Sequence, residues 1–167
     1  IEPVFHLRPQ IIFGALLNGQ PLRVLLDSGT TVSVLTTRDA LAAGITPQSP
    51  GVVASGAVTG FGENGVDSWT STFANFTVGD ETIRNPKIRF ADIYANATYK
   101  LTGSRVPHKF DSQRPMLLGV DFLRAHRVLV SHSQGKVYLT YVGGPVFDVT
   151  GLTPASSIWL APVSQRQ

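Results

Sequence analysis

The sequence contains no cysteine. Disulfides, thiol nucleophiles and thiolate metal sites are therefore excluded, and the absence fits an oxidising envelope compartment as well as a cytosol. Long apolar runs are also missing. The longest, Ile11-Ile12-Phe13-Gly14-Ala15-Leu16-Leu17, falls well short of the roughly 20 residues that a membrane-spanning helix requires. Histidine is scarce, and His6, His108, His126 and His132 show no ligand spacing of the His-Glu-x-x-His kind. No metal site and no cofactor is expected on that ground. Charge is thin, with 15% of the 167 residues charged and a formal net charge of +3, so no nucleic-acid partner is expected. Seven of the 14 basic residues fall between Arg84 and Arg114. That segment reads as a solvated loop face in preference to a surface that steers an acidic partner.

What is present is enough apolar material, 43% of residues, for one well-buried core. The chain begins at Ile1 instead of Met, from which we expect a processed product or an excised domain. Short β-rich segments punctuated by Gly, Pro, Asn and Asp predict an all-β fold with strands at Ile11-Leu17, Leu22-Leu26, Val32-Leu35, Gly51-Ala57, Ser68-Val78, Lys87-Ala91, Val128-Ser131 and Lys136-Tyr141. Asn18-Gly19 predicts a two-residue hairpin turn, because a type I′ turn needs positive φ at both central positions. Two short helices are expected: Arg38-Ala43, capped by Thr37 and stopped by Gly44, and a single turn Phe122-His126 capped by Asp121. The stretch Tyr94-Pro115 has no period and reads as a long excursion. Residues 1–142 form the domain, and 143–167 a C-terminal tail whose apolar end, Ile158-Trp159-Leu160-Ala161-Pro162-Val163, must be buried somewhere. There is no internal repeat.

One feature stands apart from this scaffold. Asp27-Ser28-Gly29 interrupts the apolar run Leu22-Arg23-Val24-Leu25-Leu26 just before the alternating segment Thr31-Val32-Ser33-Val34-Leu35. A carboxylate on a tight turn between two buried strands is costly unless chemistry uses it. Peptide hydrolysis by carboxylates needs two aspartates sharing a proton, one acting as base toward water and the other donating to the carbonyl oxygen. This chain supplies one convincing aspartate. A two-fold homodimer supplies the second automatically, because residues at the axis meet their own copies.

Three segments, Leu25 through Leu35, the glycine-rich stretch Gly56 to Gly65, and Leu117-Leu118-Gly119-Val120-Asp121-Phe122-Leu123, resemble in order and spacing the retropepsin-like aspartic proteases. The likeness is to single-lobe cellular and bacterial members, including the DNA-damage-inducible retroviral-protease-like domain and bacterial periplasmic aspartyl proteases, and it spans residues 11 to 141. Ala42-Ala43-Gly44-Ile45 and Phe76-Thr77-Val78-Gly79 also fit the pattern. The excursion Tyr94-Pro115 is longer than its usual counterpart, and Ser28 stands where Thr is commoner.

The resemblance implies a closed, mostly antiparallel β-barrel that works as a homodimeric endopeptidase on protein or extended peptide substrates, in the bacterial periplasm or cell envelope. It implies that Asp27 is catalytic, that Ser28 hydrogen-bonds across the dimer axis, and that Gly29 brings its amide close to the carboxylate. Thr30 would donate its hydroxyl to the outer carboxylate oxygen. Leu117-Leu118-Gly119 would pack beneath the catalytic loop, and Gly60, Phe61 and Gly62 would lie in a hairpin flap that pairs with substrate. The tail would add an interface strand or cover the cleft.

Two other readings compete. A catalytically silent peptide-binding or assembly module would keep the fold without aligning its aspartates, and a small-ligand barrel of lipocalin type would make Asp27 incidental. Asn75-Phe76-Thr77 and Asn96-Ala97-Thr98 match the glycosylation sequon but carry little weight, since such tripeptides are common. Asp148-Val149-Thr150-Gly151 reads as an ordinary turn, and Trp69 and Trp159 as core or interface residues.

Overall fold

The computed structural model describes residues 10–59, 65–95 and 114–148. Strands β1 (Ile12–Leu17) and β2 (Gln20–Leu26) form an antiparallel hairpin with Ile12 opposite Leu25 and Leu17 opposite Gln20. Asn18 and Gly19 make the turn with φ of 49° and 78°, the pair of positive values that the type I′ geometry demands. The Asn18 side chain also donates to Ala43 O at 3.1 Å and accepts from the Ala74 and Asn75 amides at 2.8 and 3.2 Å. The turn is thus tied to two other parts of the chain.

Strand β3 (Val34–Thr36) leads directly into helix α1 (Thr37–Ala42). The cap is Thr36, not the expected Thr37: its hydroxyl accepts from the Asp39 amide at 3.1 Å and donates to the Asp39 carboxylate at 2.7 Å. Gly44, at φ 87°, ends the helix as expected. There follow β4 (Val53–Thr59), β5 (Gly65–Thr72), β6 (Asn75–Val78), β7 (Glu81–Arg84), β8 (Lys87–Ala91), β9 (Met116–Leu118), α2 (Val120–Leu123), β10 (His126–Ser131) and β11 (Lys136–Tyr141). The expected strand Ser68-Val78 divides at Phe73 and Ala74, whose backbones bond instead to Pro86 and Asn85. Strand β7 was not anticipated, since Glu81-Thr82-Ile83-Arg84 carries a single apolar residue; it is an edge strand with only β6 beside it.

Nine strands form one sheet in the order β4-β5-β8-β3-β9-β2-β1-β6-β7, and β10 and β11 form a second sheet of two. The pairings are mostly antiparallel; β2 with β9 and β3 with β8 are the parallel exceptions. Among the described residues no sheet closes on itself, so the expected closed barrel is not what they form: the large sheet ends at β4 and β7.

The middle of the large sheet is covered on both faces. Leu22, Val24, Leu35, Met116 and Leu118 join the main core with Phe76, Phe90 and Phe122, whereas their strand neighbours Leu25, Val34 and Leu117 join a second cluster with Val58, Ala91 and Ile93. Successive strand residues point to opposite faces, and a strand buried on both faces reads as an unbroken apolar run. That explains why Val24-Leu25-Leu26 and Met116-Leu117-Leu118 show no polar alternation. Trp69 stacks on Phe90 with ring centroids 5.8 Å apart.

Candidate active site

The candidate site lies where β2 ends beside β9. The Asp27 amide donates to Leu118 O at 3.0 Å and continues the strand pairing by one residue beyond β2, while the Thr30 amide donates back to Asp27 O at 3.2 Å and closes the turn. Each carboxylate oxygen then receives one donor: the Gly29 amide reaches Asp27 Oδ1 at 3.0 Å, and the Thr30 hydroxyl reaches Oδ2 at 2.7 Å. A Cβ at position 29 would sit 3.2 Å from Asp27 Oδ1, so glycine permits this close approach. Thr30 is buried, Asp27 half-buried, and Ser28 and Gly29 exposed. The carboxylate is fixed from behind and open in front, which suits a group that exchanges protons with a bound molecule.

The loop rests on a second, deeper layer. Val120 and Asp121 donate their amides to Thr30 O and Thr31 O at 2.8 and 3.1 Å. A Cβ on Gly119 would lie 2.6 Å from Thr30 O and 3.0 Å from Val32 C, so only glycine lets the two backbones meet. Asp121 is not the helix cap expected from the sequence; that position belongs to Gly119. Its carboxylate instead accepts from the Ser33 amide at 2.9 Å and the Ser33 hydroxyl at 2.6 Å, and Ser33 Oγ accepts from the Gly119 amide at 2.9 Å. With 2% of its surface exposed, Asp121 is pushed above the usual carboxylate range by burial, against which the Ser33 bonds, the Phe122 amide and the charge of Arg124 pull only partly. Ser33 and Asp121 were missed as support for the loop. Their only signal is that both sit among apolar residues close to the two glycine turns.

On the sheet face that carries Leu25, Val34 and Leu117, Tyr94 packs against the small apolar cluster. Its hydroxyl donates to Pro115 O at 2.9 Å, and Arg114 donates to Tyr94 O at 2.8 Å with its guanidinium 5.3 Å from the ring centre. The tyrosine hydroxyl is pushed up to about 12, first by burial; the Arg114 charge opposes the shift, and the carboxylates of Asp39 and Asp27 add to it. Val58 on β4 and Val66 on β5 belong to the same patch, so the arms of this hairpin fold over it. Gly60, Phe61 and Gly62 lie outside the described residues, as does the tail beyond Asp148.

Among the described residues no group of three or more His, Asp or Glu side chains is placed to hold a metal ion, and no helix is long and apolar enough to cross a membrane.

A family model described as aspartyl protease matches residues 14–122. Solved structures similar to the chain include a retropepsin-like aspartic protease from Rickettsia conorii, 17% identical over 73% of this chain and 76% of that one with a TM-score of 0.44. The protease of EIAV in complex with the inhibitor HBY-793 is 22% identical over 74% and 92%, with a TM-score of 0.45. The retroviral protease-like domain of Ddi1 from Leishmania major is 11% identical over 81% and 92%, with a TM-score of 0.47. No functionally curated protein matches the sequence.

Proposed function

Because this chain belongs to the aspartyl protease family, its matched region enclosing the whole Asp27 loop and its support, we propose that Asp27 is the catalytic carboxylate of a homodimeric endopeptidase. The observation that carries this reading is the pair of donors on Asp27, Gly29 N–H and Thr30 Oγ–H, which fix the carboxylate while its front stays open. The chain has one Asp-Ser-Gly sequence, so the partner carboxylate would come from a second copy across a two-fold axis. Ser28, exposed beside Asp27, would bond to its own copy there.

Two carboxylates about 4 Å apart repel by roughly 4 kcal/mol at an effective dielectric near 20, so one proton is shared between them. The ionised member would take a proton from a water as its oxygen attacks the scissile carbonyl carbon, while the protonated member donates to the carbonyl oxygen. Collapse of the tetrahedral intermediate then breaks the C–N bond, with a proton passing to the departing nitrogen. Activity should follow a bell-shaped pH profile that belongs to the pair. The arms of the β4–β5 hairpin would cover an extended peptide, with Gly60, Phe61 and Gly62 at its tip as the flap.

A surface for the second copy is supported by the β10–β11 ribbon and the residue that follows it, where Leu129, Tyr141 and Val142 are 61%, 52% and 57% exposed. Action in a bacterial envelope compartment is part of the same proposal, and rests on the sequence resemblance alone. The direct test is Asp27→Asn: turnover of a cleavable peptide should fall roughly a thousandfold or more while circular dichroism and self-association stay unchanged. Retention of more than a few per cent of turnover would remove Asp27 from the chemistry, whereas binding of the peptide without any cleavage by the unmodified protein would favour a peptide-binding module.

A further inference from the structure

Asn18 does more than shape the first hairpin. Its Nδ2 donates to Ala43 O at 3.1 Å, where α1 ends, and its Oδ1 accepts the Ala74 and Asn75 amides at 2.8 and 3.2 Å, where β6 begins. The direction of each bond is settled by the partners, because a carbonyl faces the nitrogen and two N–H groups face the oxygen. The backbone joins in. Asn18 N–H donates to Asn75 O at 3.0 Å, and φ of 49° at Asn18 and 78° at Gly19 fixes the turn. One carboxamide thus holds three parts of the chain together.

The dipeptide Asn18-Gly19 also carries a reaction of its own. With no side chain on Gly19, its nitrogen meets no steric obstacle on the way to Asn18 Cγ. As that nitrogen bonds to Cγ, the Cγ–Nδ2 bond breaks, and ammonia leaves with the proton given up by Gly19 N–H. A five-membered cyclic imide remains. Water then opens the ring at either carbonyl: opening at Cγ leaves an aspartate in place of Asn18, whereas opening at the backbone carbonyl leaves the isomer whose main chain runs through Cβ and Cγ. One water is consumed and one ammonia released, with no other reactant.

We infer that Asn18 is a deamidation site guarded by folding: its carboxamide reacts in the opened chain, is held back in the native one, and once converted no longer supports the fold. The two amides on Oδ1 polarise the carbonyl toward attack. Attack also needs Cγ and Gly19 N brought into line, and in the folded turn that movement breaks all three side-chain bonds together. The product cannot rebuild the junction. A carboxylate only accepts, so an oxygen would face Ala43 O with no hydrogen between them. The isomer would in addition lengthen the turn by one backbone atom and disturb the pairing of Leu17 with Gln20. Each opening of the β1–β2 hairpin therefore exposes the chain to an irreversible loss of it.

The test follows the full chain at mildly alkaline pH, folded in buffer and unfolded in concentrated urea, by mass spectrometry of the amide-to-acid change. Fragmentation separates Asn18 from Asn64, which also precedes a glycine. Conversion at Asn18 should be at least about tenfold slower in buffer than in urea, since only the opened fraction reacts. An Asn18 that stays intact in urea, or converts there no faster than in buffer, overturns the guarded site. The consequence is read separately on Asn18→Asp by urea unfolding. Its unfolding equilibrium constant should rise at least about tenfold, because the Ala43 carbonyl loses its donor and faces a charge. A variant as stable as the unmodified chain would show that conversion is harmless and overturn that half of the inference. Neither measurement depends on what Asp27 does.

Discussion

The Asp27 loop and the β10–β11 ribbon handle their surfaces in opposite ways. Around Asp27, Thr30, Ser33, Gly119 and Asp121 form a closed set of bonds between two chain segments some 90 residues apart, and three of those side chains are buried. In the ribbon each strand pairs only with the other, through six register pairs from His126 with Tyr141 to Ser131 with Lys136, and Leu129 and Tyr138 turn outward as one cross-strand pair. Its root is held differently: Val142 N donates to Ala125 O at 2.9 Å, and His126 stacks on Phe122 at 4.0 Å while its Nε2 meets Glu81 at 2.9 Å. One region is complete within the chain, and the other presents apolar surface that a second chain would cover. On the proposed function, the half-site is built by folding and the whole site by association.

Putting the same substitution into both regions gives the sharpest contrast. Gly119→Ala drives a methyl into Thr30 O and the Val32 backbone, and since backbone on both sides must move, stability should drop by about 3 kcal/mol and turnover at least a hundredfold. Gly135→Ala, in the ribbon turn at φ 59° with open space around it, should cost only about 1 kcal/mol, from backbone conformation alone. Urea unfolding and peptide turnover of both variants check this. Equal losses would mean that the loop platform is no tighter than an exposed turn.

The next effect lies in the ribbon. Leu129→Glu with Tyr138→Glu places like charges on a surface already exposed, so the fold of the single chain should be nearly unaffected. Association should weaken at least tenfold in sedimentation, with activity lost at low concentration and recovered at high concentration. Loss of activity that no concentration restores would place these residues elsewhere in the mechanism.

Much of this contrast was legible in the residues. Asn18-Gly19 announced its hairpin because the turn chemistry is local, and Asp27-Ser28-Gly29 stood out because a charge broke an apolar run. Long-range bonds gave no such signal. Ser33 and Asp121 are 88 positions apart, and an aspartate before a short apolar segment reads as a helix cap when only its neighbours are considered. Strand β7 was hidden by its polar sequence, since an edge strand needs no apolar alternation, and the division at Phe73 was hidden by continuous β propensity on both sides of it. Closure of the sheet depends on how its edges β4 and β7 lie in space, which no local pattern records.

The smallest expected effect is electrostatic. Burial raises the Asp121 carboxyl above its ordinary 3.8, and Asp39 is raised for the same reason. A raised group binds its proton more tightly in the folded chain, so its stabilisation is full below pH 3.8 and is lost as pH rises through the folded value. Unfolding free energy should therefore fall with pH above this point, and Asp121→Asn should flatten the fall, with Asp39 supplying what remains. Urea unfolding across pH 3 to 8 reads it, and parallel curves for the two proteins would mean that Asp121 does not titrate with folding.

The claim that one Asp27 is half a site is tested most directly by mixing. Unmodified chain is combined with increasing Asp27→Asn chain at constant total concentration, with time allowed for subunits to exchange, and peptide cleavage is measured per unmodified chain. If each active site needs two Asp27 carboxylates, activity per unmodified chain falls in proportion to the unmodified fraction, because mixed dimers are silent. Activity per unmodified chain that stays constant across the series would show that one carboxylate suffices, and would contradict the shared site.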